Sequence, residues 1–245
     1  MQGTRAEDQD ERGASRSAGL VIAVDGPAGS GKSSAARGAA RALGLRYLDT
    51  GAMYRALTWW LLAHDIDITS PDAVIEHSAR PVIEVGTDPH APVIRVDGAD
   101  VAGPIRTREV SNAVSSVASV PQVRQRLIAM QREIIADASA QGRGIVAEGR
   151  DIGSVVVPDA PVKVFLTASE EVRAARRTAD LAGDPAASRA LTLQEIARRD
   201  RRDAPQTAMA ADAVEVDATS LGLSEVIAEI VSLARASRAG AAWTR

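Results

Sequence analysis

Cysteine is absent from the 245-residue chain. That excludes disulfides, thiolate metal sites and a cysteine nucleophile. Aromatic residues make up only 2% of it, against 45% hydrophobic residues overall, so a core must be assembled from Val, Ile, Leu and many Ala, and alanine-rich stretches favour helix. No apolar run approaches the roughly 20 residues that cross a bilayer. An excess of positive charge is also lacking: 29 Lys and Arg face 32 Asp and Glu, for a formal net charge of −3. This is not the cationic footprint of a nucleic-acid binder. Lysine itself is nearly missing, since only Lys32 and Lys163 occur. Residues 1–19 are polar and charged and lack the apolar segment of a secretory signal. They read as a disordered tail, residues 238–245 read as a second tail, and a cytoplasmic location is expected.

What is present is an alternation of short apolar runs and helical patterns. Residues 20–24 form a continuous apolar run of the kind a buried parallel strand shows. A glycine-rich turn follows, then an alanine-rich helix over 33–43 stopped by Gly44. Further strands are expected at 45–48, 144–147, 162–166 and 213–216. Helices are expected at 52–63, from the Ser70-Pro71 start, at 105–118, 121–140, from Ser169 to about 181, and at 223–236. In the helix over 121–140, Val123, Leu127, Met130, Ile134 and Ala138 share one face. Residues 183–185 read as a loop, and Thr192-Leu193-Gln194-Glu195 as a capping box opening an arginine-rich helix. Between 81 and 101 the pattern changes to short β segments around an Asp97-Gly98 turn, an antiparallel insert in an otherwise α/β chain. The expected architecture is a P-loop NTPase-type parallel sheet of about five strands with helices on both faces, carrying that small insert.

The glycine-rich turn reads Gly26-Pro27-Ala28-Gly29-Ser30-Gly31-Lys32-Ser33, which matches G-x-x-x-x-G-K-[ST] between a strand and a helix. The glycines let the backbone turn its N–H groups inward, and with the following helix N-terminus they form an anion cradle. Lys32 is placed to reach the β- and γ-phosphates of ATP and Ser33 to offer its hydroxyl to Mg²⁺, with Ser34 completing the nucleotide-binding segment. A guanine-reading N-K-x-D segment has no lysine to supply it, because Lys163 stands in Pro-Val-Lys-Val. An ATPase motor is disfavoured by chain size and by the strand end Ala147-Glu148-Gly149-Arg150-Asp151. Phosphoryl transfer between two anions needs cations on both. Arg55, Arg150 and the runs Arg173/Arg176/Arg177 and Arg198/Arg199/Arg201/Arg202 are the candidates, their planar forks suited to phosphate oxygens. A kinase for another small acceptor, or a nucleotide-binding module without transfer activity, shares these features.

Several motifs together resemble the bacterial cytidylate kinase family: Asp25-Gly26-Pro27, Leu48-Asp49-Thr50-Gly51-Ala52-Met53-Tyr54-Arg55, Ile105-Arg106-Thr107-Arg108-Glu109-Val110, Glu148-Gly149-Arg150-Asp151-Ile152-Gly153 and Pro158-Asp159-Ala160-Pro161-Val162-Lys163. The resemblance implies transfer of the γ-phosphoryl group of Mg·ATP to CMP or dCMP by a monomer. It implies one domain over 20–237, with a core (20–70, 105–170, 212–237), a monophosphate-binding insert (71–104) and a helical lid (171–206). Carried over by motif, Thr50, Arg55 and Arg150 face the CMP phosphate, and Ser115, Arg124 and Asp151 read the cytosine. Arg199 and Asp203 hold phosphate and sugar hydroxyl, and Arg176 and Arg177 lie in the lid near ATP. Lys32, Arg150, Arg177 and Arg199 form the catalytic set. Glu148 stands where the family often has Asp, near the Mg²⁺ waters. The chain departs from the pattern after Asp203: Gln206 occupies the usual arginine position, and Arg201 or Arg202 is the expected substitute.

Overall fold

A computed structural model describes residues 19–180 and 188–241. Both tails and the loop expected at 183–185 lie outside those bounds, apart from Gly19 and the last residues of the final helix. The first strand, β1 (Val21–Asp25), leads through the glycine-rich turn into α1 (Lys32–Leu43), followed by β2 (Arg46–Asp49) and α2 (Thr50–Ala63). Next come α3 (Pro71–Ser78), then β3 (Ile83–Val85), β4 (Ile94–Val96) and β5 (Ala99–Asp100). Helices α4 (Arg108–Ala118) and α5 (Pro121–Ala140) precede β6 (Ile145–Glu148) and β7 (Val162–Thr167). Helices α6 (Glu170–Asp180) and α7 (Arg189–Asp203), strand β8 (Val214–Asp217) and α8 (Leu223–Ala241) complete the order.

The strands form two sheets. Five pair in parallel in the order β2-β6-β1-β7-β8, and β3-β4-β5 form a separate antiparallel meander. Side-chain alternation along the parallel strands divides the core in two. On one face Ala23, Ala147 and Leu48 pack with Met53, Leu57, Leu61 and Leu127, and this core continues into Ile83, Ile94 and Val96 of the small sheet. On the other face Ile22, Val24, Val146 and Val164 pack against the alanines of α1 and against Val226 and Ile230 of α8. The expected five-stranded α/β sheet with a small antiparallel insert is therefore the observed architecture. Among the described residues no helix is long and apolar enough to cross a membrane.

The register brings acidic strand ends together. Glu148 is paired with Val24 on one side and Asp49 on the other, and Asp25 ends the neighbouring strand. Asp49 is then spent as a helix cap, accepting from Ala52 N–H at 2.8 Å. Ser70 caps α3 as expected, with Pro71 at the first position.

Three local expectations are corrected. The helix over 105–118 is broken: a 3₁₀ turn (Pro104–Arg106) ends at Thr107, whose hydroxyl accepts from Val110 N–H and starts α4 afresh. The capping box at Thr192 does not cap. Ser188 is the cap, accepting from Leu191 N–H, while Thr192 lies one turn inside and donates to Ser188 O at 2.9 Å. Glu195 is drawn instead to α4. On α5 the buried stripe is Val123, Leu127, Gln131, Ile135 and Ala138, leaving Met130 and Ile134 only partly covered.

Gly26 shows how tightly the turn is held against the sheet. Its φ is 144°, and a Cβ there would run into the Leu166 carbonyl oxygen of β7. The obstacle is backbone and cannot rotate away. Gly26→Ala is therefore expected to destabilise the fold by at least about 1 kcal/mol in denaturant unfolding. An unchanged midpoint would mean that the loop stands off from β7.

Candidate active site

The carboxyl edge of the parallel sheet opens into a cleft of about 760 Å³, the place where open α/β sheets bind ligands. The glycine-rich loop forms one wall. Its backbone is pegged by three arginines from two segments, Arg150 after β6 and Arg173 and Arg176 on α6. Arg150 donates to Gly26 O at 2.9 Å, Arg173 to Ala28 O at 3.1 Å and Arg176 to Ser30 O at 3.0 Å. With alternate carbonyls engaged outward, the loop and the N-terminus of α1 are left as an anion cradle. Lys32 Nζ folds back onto Pro27 O at 2.7 Å. Burial, and then the Arg150 and Arg199 guanidiniums, push the Lys32 amine well below its ordinary range, against the pull of Glu148. Burial and Asp49 push the Glu148 carboxyl up, while Lys32, Ser33 and Tyr47 work against them. Tyr47 donates to Glu148 Oε1 at 2.9 Å, and Thr50 to Glu148 O at 2.7 Å.

The opposite end of the cleft is differently made. Arg124 of α5 and Asp151 form an ion pair, with both side chains at least four-fifths covered, and Ser115 of α4 is buried beside the same space. Asp151 is positioned from below. Asp25 accepts from Ile152 N–H and Gly153 N–H, both at 2.8 Å, and so fixes the start of a wide π turn over Ile152–Val156.

Between the two ends stands a cluster of cations. Arg55, Arg150, Arg177 and Arg199 all line the cleft. Arg150 donates to Asp203 at 2.8 Å, and Arg199 approaches the same carboxylate at 3.4 Å. Burial, and then Arg199 and Arg177, hold the Arg55 guanidinium well below its ordinary range. Burial and Arg199 lower Arg150 to about 10. Arg199 is likewise lowered, first by burial. A site with this much crowded positive charge is poised to receive anions.

The structure thus brings to one cleft Ala28, Gly29, Ser30, Gly31, Lys32, Ser33, Ser34, Thr50, Arg55, Ser115, Arg124, Arg150, Asp151, Arg176, Arg177, Arg199 and Asp203. Gly26 and Pro27 serve the loop from behind, as carbonyl partners of Arg150 and Lys32. Arg176 is more engaged than the sequence suggests, donating also to Ala218 O at 2.8 Å and Leu221 O at 3.3 Å. Arg201 and Arg202 do not compensate for Gln206. Gln206 lines the cleft, whereas both arginines are exposed, and Arg201 donates to Ala197 O of its own helix. Residues not anticipated at the site are Arg108, Ser111, Asn112 and Glu195. Arg108 holds Glu195 with two bonds, of 2.8 and 3.1 Å, clasping α4 to α7. The signal was a polar face on α4 at i, i+3, i+4 and i+7 running 108, 111, 112, 115.

The model of the family described as Cytidylate kinase matches residues 22–236. The cytidylate kinase of Streptomyces griseus is 50% identical over 223 residues, covering 91% of this chain and 95% of its own. That of Streptomyces coelicolor is 51% identical over 232 residues, with 94% and 99% covered. That of Mycobacterium leprae is 45% identical over 230 residues, with 91% and 99% covered. A match of this extent, laid over a cleft built from the same motifs, shows that the chain belongs to the cytidylate kinase family.

Proposed function

We propose that the chain transfers the γ-phosphoryl group of ATP to CMP or dCMP. The observation that carries this reading is the single cleft with an anion cradle at one end, an Asp151–Arg124–Ser115 set at the other and four arginines between. The polyphosphate of ATP lies in the loop, with Lys32 released from Pro27 O to the β- and γ-phosphates. The base of CMP lies against Asp151 and Arg124, with Thr50, Arg55 and Arg150 on its phosphate. Arg199 and Asp203 hold phosphate and sugar. A CMP phosphate oxygen attacks the γ-phosphorus in line and ADP departs, so no protein nucleophile is needed. Lys32, Arg150, Arg177 and Arg199 neutralise the charge that spreads over the transferring group.

The Ser33 hydroxyl and the Glu148 carboxylate, which both line the cleft, are hard oxygen donors of the kind Mg²⁺ takes together with phosphate oxygens and water. Bound there, Mg²⁺ would neutralise charge on the phosphates of ATP. The three-part division is read the same way: residues 71–104 as the monophosphate-binding insert, 171–206 as the lid and the rest as the core. Closure of α6 and α7 over the phosphates keeps water from the transferring group.

The test is ADP release with Mg·ATP and CMP, dCMP, UMP, AMP and dTMP in parallel. Selective turnover of CMP and dCMP is expected. Turnover of AMP with none of CMP would defeat the reading, and inactivity on all five would favour a binding module.

A proton balance follows from the electrostatics of the cleft. A polyphosphate returns the Lys32 amine toward its ordinary range, so at about pH 8 the complex holds more protons than the free protein. ATP without divalent cation is therefore expected to bind with net proton uptake, read by calorimetry in buffers of different ionisation heat. Lys32→Met should shrink the uptake to what the raised Glu148 carboxyl takes. An equal uptake in that variant would place the proton elsewhere.

A further inference from the structure

Ser111 lies on α4 between the two ends of the cleft, and no part of the phosphate or base machinery described above requires it. Its Oγ accepts from Arg55 Nη1 at 2.8 Å and from Arg177 Nη2 at 2.8 Å. Arg55 comes from α2 and Arg177 from α6, so one oxygen ties three helices. Two guanidinium nitrogens that share an acceptor lie within twice that distance of one another, close for like charges. A hydroxyl has two lone pairs and can accept from both. Arg55 Nη1 is also held by Ile105 O at 3.1 Å. The bonds to Ser111 engage one nitrogen of each fork. The same face of α4 carries Ser115 toward the base-reading end and Arg108 and Asn112 toward Glu195 of α7.

We infer that Ser111 is a positioning residue for phosphoryl transfer, a shared acceptor that sets the spacing between Arg55 of α2 on the acceptor side and Arg177 of α6 so that both reach one phosphoryl group. This rests on the proposed reaction. Preorganised cations cost nothing to reorient at the moment of transfer, and small misplacements of such groups cost rate steeply. Alanine is the better helix former, so Ser111→Ala leaves the fold intact and isolates the hydroxyl.

The experiment is steady-state kinetics of wild type, S111A, S111T, R177A and the S111A/R177A double variant on CMP with Mg·ATP, with thermal midpoints for each. S111A is expected to lose about tenfold to a hundredfold in kcat, with KM for ATP moving less than about threefold and the midpoint not falling. S111T, which keeps an Oγ, recovers most of the loss. In the R177A background S111A costs clearly less than it does alone, because the residue acts partly through Arg177. Wild-type rates in S111A, an S111T as slow as S111A, or full additivity with R177A would each overturn the assignment while leaving the reaction standing. A wild type inactive on CMP would overturn both.

Discussion

Lys32→Ala is expected to lower kcat by about 10²–10³-fold or more while the protein stays folded. The argument starts from where the side chain is. Lys32 opens α1 at the end of a loop whose other side is braced by Arg150, Arg173 and Arg176. Its ammonium rests on Pro27 O, a neutral acceptor within the loop. A polyphosphate offers far more, so the lysine exchanges a carbonyl for charged oxygens. The gain is largest where negative charge moves toward the β–γ bridge in the transition state. Such an interaction lowers kcat and kcat/KM together when it is removed, rather than KM alone. Stability is not at risk for an electrostatic reason. The amine already suffers from Arg150 and Arg199, and burial raises the Glu148 carboxyl, so it can take up a proton once its cation is gone. A thermal midpoint close to wild type with an unchanged kcat would show that Lys32 does not reach the transferring group.

Features encoded over a few neighbouring residues were legible in the chain. The strand–loop–helix opening, the five parallel strands, the Asp97-Gly98 hairpin and the α5 bounds follow from apolar runs, glycine punctuation and a proline at the first helical position. Features decided across the fold were not. Glu195, three residues after Thr192, has the spacing of a capping box, yet its carboxylate meets Arg108, 87 residues away. That pairing is invisible to local spacing and leaves the cap to Ser188. The stretch expected as one helix from 105 to 118 holds no glycine or proline to break it, and the Thr107 hydroxyl on Val110 N–H marks the restart. At the site, the loop and the cleft arginines could be named from motifs. Their shared partners could not, because Ser111 meets Arg55 and Arg177 from positions 56 and 66 residues away. Arg201 and Arg202 failed as substitutes for the arginine position held by Gln206 for the reverse reason. Proximity in sequence placed them beside it, while the pitch of α7 turns both outward.

Asp151→Asn is expected to lower the ratio of kcat/KM for CMP over UMP by roughly 5–150-fold, the range that about 1–3 kcal/mol of base discrimination gives. Cytosine presents an amino donor at the position where uracil presents a carbonyl acceptor. An ionised carboxylate accepts from the first and repels the second, so Asp151 favours cytosine by attraction and disfavours uracil by an unpaired acceptor. An asparagine amide can turn its NH₂ toward uracil and its oxygen toward cytosine, which removes the repulsive part. The variant therefore gains on UMP as well as losing on CMP, and that opposite movement distinguishes it from general damage. Arg124 is the necessary control because it is the ion-pair partner of Asp151, and Asp151→Asn weakens that pair as well. Arg124→Lys keeps the charge but loses the planar fork. If looser packing were the whole effect, Arg124→Lys would slow both nucleotides and never raise UMP turnover. If Asp151 reads the base, only Asp151→Asn raises UMP turnover, and an unchanged CMP/UMP ratio in that variant would remove Asp151 from base recognition.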